Sequence, residues 1–177
     1  GSNQSEFTSV VTFTTQLGYC VSKGLKTTYE WIKRVNLESI DRVSGPDGGY
    51  FNATSLIANV VKGSTYTLNY QSGTTGSSGT LYWKIWIDYN NNNSFEDAGE
   101  TIISNASPSS GLLSSTFIIP STASIAKVRM RVSMKYSGYA TSCMTFSYGE
   151  VEDYSINIQG AGGGEDGVEF NGLEHGK

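Results

Sequence analysis

The clearest strand signal lies in residues 81–88, Leu81-Tyr82-Trp83-Lys84-Ile85-Trp86-Ile87-Asp88. Leu81, Trp83, Ile85 and Ile87 share one parity, and polar or amphipathic residues occupy the other. A period of two is typical of a β-strand with one buried face. Since the same alternation recurs along the chain, we predict an all-β protein.

Further strands are predicted where β-branched and aromatic residues alternate with polar ones. They are residues 6–15, 28–36, 64–71, 112–119, 127–136 and 151–158. The stretch 28–36 is also compatible with one short helix. Because the strands are short and no convincing helix separates them, we expect an antiparallel two-sheet β-sandwich, jelly-roll-like, with about 8–9 strands.

The 177 residues fit one domain with a sizeable core. We place this domain at residues 1–159 and interpret the glycine-rich, acidic stretch 160–177 as a linker or tag remnant. Gly1-Ser2 has the character of a cloning scar, so we expect a piece of a longer precursor. Most of the net charge of -4 lies in the tail. The near-neutral body gives no reason to expect nucleic acid, and no apolar run is long enough to insert into a membrane.

Cys20 and Cys143 are the only cysteines. An even count, few charges and many Tyr, Ser, Thr and Gly residues suit an extracellular protein. We therefore predict a disulfide that joins the two ends of the domain, with two buried thiols as the alternative. Closing so long a loop stabilises a fold by about 4–5 kcal/mol in the chain-entropy view. The expected location is secreted or at the cell surface.

An oxygen-rich loop follows the strand 81–88. Its side-chain oxygens recur every second residue and then give way to an acidic run, which is the pattern of a calcium loop, with Phe95 pinning it to the core. The predicted Ca²⁺ ligands are Asp88, Asn90, Asn92, Ser94, Asp97 and Glu100. The alternative is an Asn-rich hairpin turn with a solvated acidic edge.

A second acidic group, Glu150, Glu152 and Asp153, enters the last predicted strand. A buried carboxylate without a partner is prohibitively costly, so this group needs compensation. Parity puts Glu152 on the expected core face. We predict that Arg129 or Arg131 on a neighbouring strand compensates it, or else a cation.

The chain resembles the GEVED domain family, whose name-giving motif is similar to Gly149-Glu150-Val151-Glu152-Asp153-Tyr154. Together the similar stretches cover roughly residues 19–158. The further similar stretches are Tyr19-Cys20, Glu30-Trp31-Ile32, Ser44 to Tyr50, Trp86 to Asn90, Phe95, Asp97 to Glu100, and Arg129 to Met134.

This resemblance implies an accessory module of a large secreted or surface protein, found mostly in Bacteroidota. Such modules accompany peptidase, adhesion or glycan-active units, often with a type IX secretion sorting domain. The family usually has an acid and a glycine where this chain has Asn92 and Asn93. The departure removes a charge and leaves a side chain where a tight turn prefers glycine.

The sequence argues against an enzyme. The only histidine, His175, lies in the tail, so no Ser-His-Asp or Cys-His pair is available in the body. A disulfide would remove the thiolate nucleophile, and no zinc motif is present. Paired carboxylates such as Glu150 and Asp97 leave glycoside hydrolysis as an open alternative.

Aromatic residues favour a binding module. Three Trp and eleven Tyr provide rings that stack on sugars or anchor protein partners. The alternative is that the sandwich buries these rings. The candidate ligand-binding residues are Trp86, Tyr82, Tyr89, Tyr50, Tyr136 and Tyr139.

We therefore predict a non-catalytic, calcium-stabilised accessory module of a larger secreted protein. Its expected partners are a polysaccharide or an extracellular protein polymer, together with neighbouring domains of the parent protein. The alternatives are a passive spacer or adhesin module and a protein-substrate-binding domain of a secreted peptidase.

Overall fold

The computed structural model describes residues 18–76, 79–108 and 110–161. Within these ranges the chain forms ten β-strands and no helix, which confirms the predicted all-β class. The strands are β1 (Lys23–Lys26), β2 (Glu30–Leu37), β3 (Ile40–Val43), β4 (Tyr50–Val61), β5 (Thr65–Thr74), β6 (Leu81–Ile87), β7 (Thr101–Ser107), β8 (Leu113–Ile118), β9 (Lys127–Tyr136) and β10 (Thr145–Gln159). The predicted strand 6–15 and the tail from residue 162 onward lie outside the described residues. None of the described segments is a helix with the length and apolar character that crossing a bilayer requires.

The strands form the two sheets of a β-sandwich. The first sheet has the order β1-β10-β9-β6-β7, and β4 also pairs with β10. The second sheet has the order β3-β2-β5-β8. Most pairings are antiparallel, as predicted, but β1 and β4 run parallel to β10. These two strands therefore lie one after the other along the same edge of β10.

The core lies between the sheets. On β6 and β9 it takes the apolar residues that the alternation predicts, from Leu81 to Ile87 and from Val128 to Met134. Tyr70 of the second sheet meets Trp83 of the first, with ring centroids 4.8 Å apart. Burial of one face per strand thus produces the observed pairing register.

A bulge between Ile32 and Arg34 changes the alternation of β2. Before the bulge Glu30 and Ile32 are buried, and after it Val35 is buried. The extra residue switches the parity, because two residues of β2 oppose one residue of β5. Glu30 therefore faces the same side as the core residues, although its sequence parity is opposite to that of Val35.

The predicted disulfide between Cys20 and Cys143 is confirmed, with a Cα–Cα distance of 5.4 Å. It closes a separation of 123 residues, and the carbonyl oxygen of Cys20 accepts a hydrogen bond from Arg131 of β9. Beside it Ala140, Phe146 and Val151 form a second, small apolar cluster. The outer face of β10 is therefore covered rather than open to solvent.

Candidate functional site

Two acids of the 149–154 motif point between the sheets. Glu150 accepts hydrogen bonds from the backbone N–H of Asp47 at 2.8 Å and of Ile32 at 2.9 Å. Glu152 accepts from the guanidinium of Arg42 and from the hydroxyl of Tyr154. Burial raises the pKa of Glu152 to about 7 even though Arg42 opposes this effect. The two glutamates therefore join β10 to the second sheet.

Arg42 supplies the positive charge of this interior network. It pairs with Asp47 as well as with Glu152, so one guanidinium serves two acids. In the described part of the chain, Asp47, Glu150 and Glu152 are the only three acids whose oxygens all lie within 4.8 Å of one another. Because Arg42 already compensates this group, we assign no metal ion to it.

The expected pairing of Glu152 with Arg129 or Arg131 is wrong. The two arginines alternate with the core residues of β9, so their side chains leave the opposite face of the sheet. There they meet Asp153, which lies directly opposite Arg131 in the strand register. Arg131 binds Asp153 at two points, and Arg129 approaches it at 3.5 Å.

Gly149 opens the motif at a point of close backbone contact. Its φ is +120°, and an added Cβ would lie 2.1 Å from the carbonyl oxygen of Met134. On its other side, a Cβ on Gly24 would lie 1.8 Å from the carbonyl oxygen of Gly149. Only glycine leaves room for this junction of β1, β9 and β10.

The oxygen-rich loop closes around Asp88, which is fully buried. Its carboxylate accepts hydrogen bonds from the hydroxyl of Tyr19 at 2.6 Å and from the backbone N–H groups of Asn92 and Asn93 at 3.1 and 2.9 Å. Asn93 has a φ of 65°, in the left-handed region that asparagine tolerates best after glycine. This explains why asparagine can replace glycine at this position.

The remaining predicted ligands belong to the same loop. The Asn90 side chain accepts from the N–H of Asn92, and the Asn92 side chain accepts from the N–H of Ser94. Asp97 accepts from the side-chain amide of Asn92 at 2.8 Å. These bonds hold the loop without a cation, but each oxygen keeps a second lone pair for a metal.

Glu100 carries the best sign of a cation site in this loop. One carboxylate oxygen accepts from the backbone N–H of Tyr89 at 2.9 Å, whereas Oε2 is buried without any hydrogen-bond partner. Burial and the nearby charge of Asp88 raise the pKa of Glu100. An oxygen-only donor set with an orphaned carboxylate oxygen has the chemistry that Ca²⁺ prefers, although Asp88, Asp97 and Glu100 do not bring their oxygens within 4.8 Å of one another in this structure.

Phe95 pins the loop to the outer face of the first sheet. Its ring is buried and stacks on Tyr19, with centroids 5.0 Å apart. It also lies 6.3 Å from Trp86 and 5.1 Å below the guanidinium of Arg131. Loop, disulfide segment and outer face therefore pack as one unit.

A cleft of about 510 Å³ lies at the end of the sandwich. It is lined by Tyr29 from the bend before β2, Glu30 at the start of β2, Tyr136 at the end of β9 and Tyr148 of β10, together with Gly76 and Gly79. Tyr29 is 59% exposed, and its ring centroid lies 6.0 Å from that of Tyr148. The cleft thus combines three tyrosine rings with one carboxylate.

Residues 82–157 match the family model of the GEVED domain. The chain contains a GEVED domain. The match runs from β6 through the oxygen-rich loop to the motif in β10, so both acidic groups lie inside it. A search of curated proteins found no match. The GEVED domain is a small accessory domain, and the Cys20–Cys143 disulfide of this chain suits an oxidising compartment.

The structure places the predicted aromatic residues of this protein in different surroundings. Trp86, expected as an exposed platform, is only 2% exposed because Phe95 and the oxygen-rich loop cover the outer face of β6. Tyr89 is buried as well. Tyr50 donates a hydrogen bond to Asp153, and Tyr82 packs edge-on against Tyr139 away from the cleft.

Tyr136 is the one predicted aromatic residue that lines the cleft. The sequence analysis missed its companions Tyr29, Glu30 and Tyr148. Glu30 is the one acidic residue of β2 and precedes the apolar pair Trp31 and Ile32, which is a signal that could have drawn attention to it. Arg42 offered no such signal, since it is an ordinary arginine in a short strand.

Proposed function

We propose that this GEVED domain is a non-catalytic accessory module of a larger secreted or cell-surface protein and that it binds a polysaccharide in the tyrosine-lined cleft. The observation that carries the proposal is the grouping of Tyr29, Tyr136 and Tyr148 around one concave surface. Tyrosine rings stack on the apolar faces of sugar rings, and their hydroxyl groups hydrogen-bond to the sugar. The cleft volume falls in the range of roughly 300–1,000 Å³ that is typical of small-ligand sites.

The contacts of the three acids in the 149–154 motif support a binding function over a catalytic one. Glu150, Glu152 and Asp153 are held by backbone N–H groups, Arg42 and Arg131 inside the fold. A hydrolytic pair needs two carboxylates that flank an accessible bond. The motif acids therefore serve the architecture, and the cleft provides a single carboxylate, Glu30.

Calcium is the second part of the proposal. Asp88, Asn90, Asn92, Ser94, Asp97 and Glu100 would hold one Ca²⁺ through oxygen atoms. The ion would neutralise the buried charges of Asp88 and Glu100 and so stiffen the loop that covers the first sheet. The orphaned oxygen of Glu100 supports this assignment.

The test is titration calorimetry against a panel of soluble polysaccharides in the presence of Ca²⁺. We expect Tyr29→Ala and Tyr148→Ala to weaken the binding of a recognised glycan at least tenfold, because each removes a stacking surface. The matched control is Tyr139→Ala, an exposed tyrosine that does not line the cleft. Failure of every polysaccharide to bind would reject the proposal and leave the spacer interpretation.

A further inference from the structure

Glu30 is the acid that the architecture leaves unused. It is 4% exposed, and burial raises its pKa. No hydrogen bond or ion pair reaches its carboxylate from any described residue, in contrast to Asp88, Glu150 and Asp153. Because Glu30 lines the cleft, its carboxylate is only partly desolvated, and a ligand in the cleft can supply the partner that the protein does not.

The surroundings of Glu30 favour a cation. The faces of Tyr29 and Tyr148 are tilted by 45° to each other beside it, and the face of a tyrosine ring attracts positive charge. The protein itself offers an example, since the Lys26 ammonium lies 5.7 Å from the ring centroid of Tyr148. The open side of the same cleft presents the rings and the carboxylate together to a ligand.

We propose that the cleft recognises the ammonium group of an amino-sugar residue in a polysaccharide, with Glu30 as its counter-ion. This inference rests on the proposed function and names the ligand class. The Glu30 carboxylate accepts hydrogen bonds from the ammonium, and Tyr29 and Tyr148 stack on the sugar ring that carries it. A volume of about 510 Å³ has room for whole sugar rings, whereas a lysine ammonium would fill a small part of it.

The test compares two ligands that differ only in the amine. A β-1,4-linked glucosamine tetramer and its fully N-acetylated form are titrated into the protein at a pH at which the free amine is protonated. We expect the free-amine tetramer to bind at least tenfold more tightly. Glu30→Gln keeps the side-chain shape and removes the charge, so it should reduce this preference to less than threefold.

The control is Glu38→Gln, which removes one charge at the far end of β2 and should leave both affinities unchanged. Melting temperatures verify that each variant folds, and Glu30→Gln should melt no lower than the wild type because it removes a partly desolvated charge that has no protein partner. A cation-preferring cleft would also prefer the amine in Tyr29→Ala, at lower affinity for both tetramers.

Three outcomes would overturn the inference. Equal affinity for the two tetramers, with loss of binding in Tyr29→Ala, rejects the ammonium and keeps the polysaccharide-binding function. Binding of a lysine-rich peptide but neither tetramer, abolished in Glu30→Gln, rejects the polysaccharide in favour of a protein ligand. Failure of all three probes to bind, together with a negative polysaccharide panel, rejects both proposals.

Discussion

Arg131 and Asp153 form a two-point ion pair between neighbouring strands β9 and β10. The Nε–Oδ1 and Nη2–Oδ2 distances are both 2.8 Å, and both side chains are buried. The third nitrogen, Nη1, donates to the carbonyl oxygens of Cys20 at 2.9 Å and of Ser142 at 2.7 Å. One guanidinium therefore ties the last strand to both segments of the disulfide.

Arg131→Lys should destabilise the domain by about 3 kcal/mol or more. A lysine cannot reproduce the fork, and it leaves the buried carboxylate of Asp153 short of hydrogen bonds. The measurement is urea denaturation of the oxidised protein. The matched control is Arg34→Lys, since Arg34 makes the same two-point contact with Asp41 on the surface, where solvent screens the pair and a much smaller loss of stability is expected. An equal loss of unfolding free energy in the two variants would contradict the structural role of Arg131.

Gly149→Ala should destabilise the domain by about 3 kcal/mol or more. The new Cβ would collide with the backbone of Met134 and would also stand at a positive φ. Gly63→Ala separates the two effects, because Gly63 also has a positive φ but no heavy atom within 4 Å of the added Cβ. Its expected cost is about 1 kcal/mol. Similar denaturation midpoints for the two variants would argue against the close contact.

Stability should fall as the pH rises from 4.5 to 7. The pKa of Glu152 is raised from 4.5 to about 7 by burial, so the folded state holds more protons than the unfolded state in this window. A change of this size corresponds to about 3 kcal/mol, which is present below pH 4.5 and lost above pH 7. The measurement is the free energy of unfolding at a series of pH values.

Glu152→Gln should flatten this pH dependence, because the amide does not titrate. Burial also raises the pKa of Glu30, Glu100 and Glu150, so these acids contribute to the pH dependence as well. The contribution of Glu152 is therefore the difference between the free energies of unfolding of the wild type and of Glu152→Gln at each pH. Glu38→Gln controls for the loss of one carboxylate elsewhere. If the free energy of unfolding of Glu152→Gln changed with pH as much as that of the wild type, Arg42 would keep Glu152 ionised over this pH range.

Ca²⁺ should raise the melting temperature, and Glu100→Gln should remove most of that rise. At a Ca²⁺ concentration a hundredfold above Kd, binding stabilises the folded state by about 2.7 kcal/mol. Without Ca²⁺, Glu100→Gln should be at least as stable as the wild type, because Glu100 no longer opposes the charge of Asp88. Thermal melts in EDTA, Ca²⁺ and Mg²⁺ test both expectations.

Glu96→Gln is the control for the calcium prediction, since it removes a carboxylate from the same loop outside the proposed ligand set. Asp88→Ala should also abolish the calcium-dependent rise. It is a less specific probe, because Asp88 also accepts hydrogen bonds from Tyr19, Asn92 and Asn93 in the absence of a metal. If Ca²⁺ raised the melting temperature of Glu100→Gln as much as that of the wild type, Glu100 would not be a ligand of the ion.

The sequence predicts strands well where one face is buried and the other is polar. β6 and β9 follow this rule, so their residues and their core faces were predictable. β4 was not predicted from the sequence, because both of its faces are exposed near Phe51 and no apolar alternation marks it there. Its register with β10 also shifts after Ala53. β1 is short and pairs with residues far along the chain, which no local pattern reports.

The candidate site was harder to predict for a related reason. The bulge after Ile32 reverses the parity of β2, so a reading of strict alternation cannot place Glu30 relative to the core. The cleft also joins Tyr29, from the bend before β2, with Tyr136 of β9 and Tyr148 of β10. Their proximity depends on sheet order, and alternation along a single strand does not determine sheet order.

The central position of β10 has a consequence for how the protein acquires its structure. The last strand pairs with β1, β4 and β9, and its first residue, Thr145, lies beside Lys23. A nascent chain that emerges from its N-terminus therefore cannot complete the first sheet until almost the entire domain has been delivered. Such long-range closure makes for slow folding, and an interrupted chain would expose unpaired strand edges to proteases and to aggregation.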